Sequence, residues 1–493
     1  MKKINKLLIS LTSMLLIGSN VLPLASCNNG GGVAQIEKGD VETVAYNGEK
    51  VTISFYHCMG QALSGILADC IEDFNVLYPN VKVQETSFGD YPGVRDQIST
   101  ELAAGRGPSV AYCYPDHVAL YNKSNAVLTL DDYIASTLPV TAADGTESIM
   151  GLTQEQIDDY VPLYYNEGKI YGDGKMYTIP MMKSTELLYY NKTYFEANGL
   201  TAPTTWTEME NTCARILEIE SAKEGGIEKN PCIPLGYDSG ANWFITMTEQ
   251  LKSGYTSNVK GEHFLFNNEK NRAFVEKFRG WYEKGYVTTE ETFGTYTSDL
   301  FKQTAQDKTK SFMCIGSSAG ASYQCPAVNA DQVTYPFEVG VTTIPQENPE
   351  DPIMISQGPS LCLFKKQNPQ EVAAAWLFAK YITTSVEYQA RFSMQNGYTC
   401  AIQSVTENPI YADFLSKADG NKFLQASCVK LTIAHKEDFF VSAAFNGSSK
   451  ARDDMALLMK DCFRNPLGNK TAAQFIQDYF NKVESELNKK YDK

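Results

Sequence analysis

The chain is poor in histidine, in paired cysteine spacings and in positive charge. Four histidines lie far apart in 493 residues, and no two cysteines form a C-x-x-C pair, so no zinc-binding spacing exists. The formal net charge is −15. A nucleic-acid binder needs basic stripes, so that class is excluded. An anionic small molecule is not excluded, because the field inside a pocket can oppose the bulk charge. Beyond the N-terminus no run of about 18 uninterrupted apolar residues is present to span a membrane. The twelve cysteines stand singly, in apolar runs such as those holding Cys213, Cys314 and Cys362. There most read as small buried hydrophobes, which suggests a habitat poor in oxidant.

What is present begins with an export signal. Lys2, Lys3 and Lys6 form its positive region, Leu7–Leu22 its apolar stretch, and Leu24-Ala25-Ser26-Cys27 its cleavage site. Small residues directly before a cysteine match the bacterial lipoprotein pattern. Cys27 is therefore expected to become a lipidated N-terminus on the extracellular face of the cell membrane. The alternative, a transmembrane anchor, has only about 16 residues, diluted by serines, Thr12 and Asn20. Removing residues 1–26, with three lysines and no acids, takes the net charge from −15 to −18. Residues 27–49 read as a flexible tether of low complexity.

The rest is organised around Met176–Asn191. Upstream, Lys169–Tyr177 predicts a hairpin turned at Gly172-Asp173-Gly174. Then follow Pro180, two methionines, the polar run Lys183-Ser184-Thr185-Glu186 and an apolar strand, Leu187–Tyr190. A polar break between two strand-like runs suits a crossing between lobes. Similar breaks at Ile355–Phe364 and after Gln395–Tyr398 supply second and third candidates. Before the first crossing, strands at 51–56, 81–83 and 109–114 alternate with helices, the signature of a parallel sheet with crossovers. Ligands sit in the loops at the strand ends of such sheets; His57, Tyr91 and Asp116 all lie in or near them. After the crossing, Thr205 opens a helix, Leu235–Trp243 reads as a polar glycine-rich loop, and Phe274, Phe278 and Trp281 stripe a core helix. Thr471-Ala-Ala-Gln474 boxes the last helix.

The lipoprotein pattern, AAGRGPSV (103–110), GKMYTIPMMKSTELLYYNK (174–192), APTTW (202–206) and NGY (396–398), in that order and spacing, resemble the extracellular solute-binding proteins of ABC importers. The likeness covers about residues 50–490. It implies an α/β, two-lobed periplasmic-binding-protein-like fold of class II type, with a central ligand cleft and crossing strands. The lobes are expected over 50–184 with 358–405, and over 185–357 with 406–493. It further implies a monomer, without cofactor or metal, that hands a solute to membrane permease subunits.

Within the family the chain is most similar to the glycerol-3-phosphate binders. Their contacts fall on Tyr91, Asp116, Ser184, Ser317, Gly358, Tyr398 and Arg452, with Trp243 near a loop tryptophan. Arg452 is expected to grip phosphate bidentately, helped by Ser184, Ser317 and the Gly358 N–H. Tyr91, Tyr398 and Asp116 suit hydroxyls, and Trp243 a flat apolar wall. Asp116 stands where those proteins carry glutamate, and 447–452 keeps little beyond its arginine, so a sugar is the alternative solute. Each residue also has a plainer role: Arg452 on a solvated helix face, Ser184 in a turn, Trp243 in the core. A rival class is a serine hydrolase, since Gly316-Ser-Ser318-Ala-Gly320 fits G-x-S-x-G after a strand.

Overall fold

The computed structural model describes residues 35–492; the export signal and Cys27 lie outside them. Four of the sheet strands lie before Met182: β1 (Val51–His57), β2 (Val81–Ser87), β3 (Val110–Cys113) and β4 (Ile179–Pro180). Next are β5 (Glu186–Asn191), β6 (Leu235–Tyr237), β7 (Val287–Thr289), β8 (Met313–Ser317) and β9 (Val339–Thr343), and then β10 (Ser360–Leu363). They build two five-stranded sheets, ordered β2-β1-β3-β10-β4 and β7-β6-β8-β5-β9. In the first, β1 runs parallel to β2 and β3, and β10 runs antiparallel to β3 and β4. In the second, β6 is parallel to β7 and β8, and β5 is antiparallel to β8 and β9. Each of these mixed sheets, with the helices packed on it, forms one lobe of the two-lobed fold.

Local chemistry sets the elements. The helix Gln61–Leu77 buries Leu63, Leu67, Cys70 and Phe74 at three- and four-residue spacing, one apolar face toward the first sheet. Burying each large apolar side chain stabilises by about 1.5–3 kcal/mol. Tyr91–Ala103 starts where the Asp90 carboxylate accepts the Gly93 N–H at 2.7 Å, satisfying an orphan donor of the first turn. The second lobe's core gathers Trp206, Trp243, Phe278, Trp281 and Phe480.

Three expectations are corrected. Lys169–Tyr177 forms no hairpin: a 3-10 turn over Glu167–Lys169 leads into irregular chain, and strand begins only at Ile179. Both glycines of the turn do have positive φ (Gly172 +85°, Gly174 +74°), but their flanks find no ladder partner in each other. Leu235–Trp243 is mostly not loop. Ser239 caps a helix over Gly240–Gln250 by accepting the Asn242 N–H, and nearly all of that helix is buried. The tether expected over 27–49 is anchored in its described part. Ile36 N donates to Gly105 O at 2.9 Å, Asn47 N to Gln370 Oε1 at 2.8 Å, and Tyr46 is buried in the first core.

The chain crosses between the sheets in adjacent segments. Met182–Lys183 pairs antiparallel with Thr399–Cys400. Ser184 exchanges backbone hydrogen bonds with Gln357 at 2.9 and 2.8 Å, and β5 starts two residues later. Gly358 holds φ +98° here, and a Cβ on it would lie 2.6 Å from Met182 O and 2.9 Å from Lys183 Cα. Backbone cannot move aside cheaply, and φ in that region strains any side chain. Gly358→Ala is expected to destabilise by about 2 kcal/mol or more, read as a lower urea midpoint with an unchanged m-value.

Among the described residues, eleven cysteines are free thiols, nine of them buried. They behave as small core hydrophobes, and burial pushes thiols such as Cys428 up to about 12. No helix of the described residues is long and apolar enough to cross a membrane, and no cluster there suits a metal ion.

Candidate functional site

A cavity of about 50 Å³ opens where the carboxyl end of β3 meets the crossing segments and the helix Ser448–Arg464. Tyr114 and Asp116 line it from the first lobe, Glu167 from the 3-10 turn before β4, Ile355 and Ser356 from the chain leading into the second crossing, and Tyr255, Ser442, Ser448 and Arg452 from the second lobe. That volume admits roughly three or four waters.

Asp116 reaches the cavity because Pro115 opens a helix directly after β3. Its Oδ2, the Tyr255 hydroxyl and Ser442 Oγ are all buried without a hydrogen-bond partner. Buried polar atoms usually find partners, and these three belong to residues that line the cavity, so they are candidates to bond a hydroxylated solute or water. Tyr91 stacks on Tyr114, ring centroids 4.1 Å apart. Tyr398 lies within electrostatic reach of Tyr91, and burial raises both phenols above their usual range.

Arg452 is the one cation among the residues lining the cavity. Its guanidinium carbon lies 5.8 Å from the Tyr114 ring centroid, and its Nη2 donates to Asn242 Oδ1 at 2.5 Å. Asn242 Nδ2 donates in turn to Glu186 Oε1 at 2.9 Å, and the Tyr237 hydroxyl donates to Glu186 Oε2 at 2.5 Å. Glu167 is neutralised by Lys183, whose Nζ lies 2.5 Å from its Oε1. One step along the helix from Arg452, Asp453 is held by Arg95 at 3.0 Å, which ties the first-lobe helix Tyr91–Ala103 to the second lobe.

Burial raises the Glu186 carboxyl to about 7, against the hydrogen bonds of Tyr237 and Asn242 and the charge of Arg452. The folded chain then keeps a proton that the unfolded chain sheds near 4.5, so this group's contribution to stability falls as pH rises from about 4.5 to 7. The loss over that window is expected to be about 3 kcal/mol. Urea unfolding of wild type and Glu186→Gln at pH 5 to 8 checks it: the wild type should lose stability relative to the variant as pH rises. Parallel curves would contradict it.

The sequence-predicted residues divide. Asp116 and Arg452 face the cavity together, and Tyr91 backs Tyr114 on its wall. Ser184 and Gly358 lie in the crossing. Ser317 ends β8 opposite Glu186, and its Oγ accepts the Ala319 N–H. Trp243 is corrected to a core residue: 0% exposed, stacked on Tyr237 at 4.9 Å and packed on Phe278 at 4.3 Å, it presents no wall to a ligand. Ser318, the rival nucleophile, is also fully buried. Its N–H donates to Thr185 O and its Oγ accepts Thr185 N–H, which serves the crossing. Sequence reasoning missed Tyr114, Glu167, Tyr255, Ser356 and Ser442. Only Tyr114, next to Asp116 at a strand end, carried a signal that could have found it.

A family model described as bacterial extracellular solute-binding protein matches residues 69–417. The multiple sugar-binding protein of Streptococcus mutans is 23% identical over 402 residues, 80% of this chain and 82% of that protein. The sn-glycerol-3-phosphate-binding periplasmic protein of Shigella flexneri is 27% identical over 207 residues, a match spanning 40% of each chain. Among solved structures, a Mycobacterium tuberculosis UgpB in complex with glycerophosphocholine superposes with TM-score 0.66 at 16% identity, covering 89% of this chain and 98% of that one. An ABC substrate-binding protein of Listeria monocytogenes in complex with cycloalternan gives 0.67 at 14% identity, covering 89% and 100%. These structures share the two-lobed fold.

Proposed function

The chain belongs to the bacterial extracellular solute-binding proteins, and from that premise we propose that it captures a small hydroxylated solute carrying a phosphate group. The solute class is a glycerophosphodiester or glycerol 3-phosphate, delivered to the permease subunits of an ABC importer. The observation that carries this reading is Arg452 facing the same cavity as the unpartnered Asp116 Oδ2, Tyr255 hydroxyl and Ser442 Oγ. One guanidinium balances one phosphodiester charge, and charge-assisted hydrogen bonds from arginine to phosphate are strong and directional. The neighbouring carboxylate and hydroxyls suit the glycerol hydroxyls. Because the cavity carries one cation beside Asp116, a phosphodiester monoanion fits better than a phosphomonoester dianion.

A neutral sugar is the second reading. It is favoured by two carboxylates, Asp116 and Glu167, and two tyrosines, Tyr114 and Tyr255, on the cavity wall, and by the sugar-binding relative that matches most of the chain. Calorimetric titration of the mature protein with glycerophosphocholine, glycerol 3-phosphate and a maltodextrin series separates them. The first reading expects the diester to bind in the micromolar range or tighter, about 8 kcal/mol, and the maltodextrins not to bind. Maltodextrin binding without diester binding moves the assignment to sugars.

With this reading go binding without turnover, anchoring through lipid on Cys27, and the division into lobes of 50–184 with 358–405 and 185–357 with 406–493. The two sheets support that division, although Tyr411 and Val429 join the first lobe's core while Leu424 and Cys428 pack on β5. Cys27→Ser is expected to abolish a globomycin-sensitive mobility shift of the exported chain; unchanged processing of that variant would remove the lipid anchor from the account.

A further inference from the structure

We propose that Glu186 is the positioning residue for Arg452, acting through Asn242, and that it couples the capture of an anionic solute to the uptake of one proton. This rests on the anionic-solute reading above and names a control built beneath the same site.

The geometry is a buried relay. Glu186 and Asn242 are 2% and 5% exposed, so water does not compete for their hydrogen bonds. An ionised carboxylate only accepts. Glu186 therefore draws the amide nitrogen of Asn242 toward itself, at 2.9 Å, and turns the amide oxygen toward Arg452, at 2.5 Å. The reverse amide orientation would set an NH₂ group against the guanidinium, donor against donor. Tyr237 holds the other carboxylate oxygen at 2.5 Å, so Glu186 is pinned from β6 while Asn242 is pinned by its helix. The guanidinium is thus aimed from below, with its remaining N–H groups available to the cavity.

The charges facing this relay decide how it responds to pH. Around Glu186 stand Tyr237 on β6, Asp238 at the end of that strand, and Arg452 from the C-terminal helix. Around Arg452 stand Asp116 and Tyr114 from the first lobe and Tyr255 from the second, while Asp453 is engaged by Arg95. In the free protein an ionised Glu186 shares the field of Arg452. An anion entering the cavity competes for that field, and in a buried site the repulsion between the anion and the carboxylate is weakly screened. Binding therefore favours the neutral carboxyl: a proton from buffer joins Glu186 Oε2, and the Tyr237 hydroxyl turns from donor to acceptor. Asn242 keeps its orientation, because Oε1 still accepts from it. Burial places the carboxyl's titration near neutral pH, where the exchange is measurable.

The test titrates the mature wild-type protein with glycerophosphocholine by calorimetry at pH 6 to 8.5, in two buffers of different ionisation enthalpy. The expected result is fractional proton uptake above pH 7 and an affinity that falls toward tenfold per pH unit there. In Glu186→Gln the uptake should vanish and the affinity become independent of pH. Uptake that persists in the variant, or a wild type with neither uptake nor pH dependence, overturns the proposal. Failure of the solute reading is distinguishable, because it appears as no binding of the diester at any pH. The relay is then read in the ligand-free wild type by NMR, following the Glu186 carboxyl carbon and the Arg452 side-chain nitrogens against pH. A shared midpoint supports the relay; an Arg452 signal indifferent to the Glu186 titration overturns it. The same spectra decide the matter if the variant does not fold.

Discussion

Lys183→Met is expected to cost about 3–5 kcal/mol of stability. Lys183 is 0% exposed, its Nζ lies 2.5 Å from Glu167 Oε1 and donates to Ser360 Oγ at 3.1 Å. Methionine fills similar volume, so the loss comes from leaving the Glu167 carboxylate buried without its counter-charge. Among the described residues the remaining Glu167 oxygen accepts from the Ser356 hydroxyl, at 3.2 Å. Since removing a whole buried pair is often nearly neutral, Lys183→Met/Glu167→Leu should recover most of the stability. Chemical denaturation of the single and double variants measures this. A single variant within about 1 kcal/mol of wild type would show that the pair is solvated, contrary to the burial. The consequence reaches the site, because Glu167 and Ser356 both line the cavity. Loosening the crossing there should weaken solute binding as well as the fold.

Arg452→Ala is expected to weaken binding of the phosphodiester by roughly 30-fold or more. Truncating one partner of a buried charged contact costs about 2–5 kcal/mol, and about 2 kcal/mol already corresponds to that factor. The fold should change little, because Arg452 is only partly buried and its hydrogen-bond partner Asn242 keeps Glu186. Arg452→Lys should recover only part of the affinity, since an ammonium cannot present the planar fork that a phosphate accepts from guanidinium. Equal affinity in wild type and Arg452→Ala would remove the anion from the account and favour the sugar reading.

Much of the first lobe is legible in the sequence. The strands β1 to β3 and the helices between them are local, strongly patterned and bounded by Asp90, Gly105 and Pro79, so periodicity and capping chemistry point the same way. Asp116 is legible for the same reason, since a strand end in a parallel sheet is a ligand position. Arg452 enters through resemblance alone, and its helix address says nothing of the cavity. The second lobe hides more. Gly236, Gly240 and Asn242 make 235–243 look like loop, yet Ser239 caps a helix there and burial outweighs the weak propensity of Gly and Asn. That helix sends Asn242 toward Glu186 and Trp243 into the core, so adjacent residues take opposite fates that a loop reading cannot separate. Tyr255, Ser356 and Ser442 sit in irregular segments and reach the cavity only through tertiary placement. The missing hairpin at 169–177 has a related cause: glycines with positive φ permit a turn, but strand pairing depends on partners the sequence does not name.

The most direct test of the central claim is a crystal structure of the mature protein with glycerophosphocholine. The account predicts the phosphodiester oxygens within about 3.2 Å of the Arg452 guanidinium, with glycerol hydroxyls on Asp116 and the tyrosine and serine hydroxyls of the cavity. Trp243 should remain in the core, untouched by ligand. Density for the diester away from Arg452, or a saturated crystal whose cavity instead holds a neutral sugar carried through purification, would contradict it.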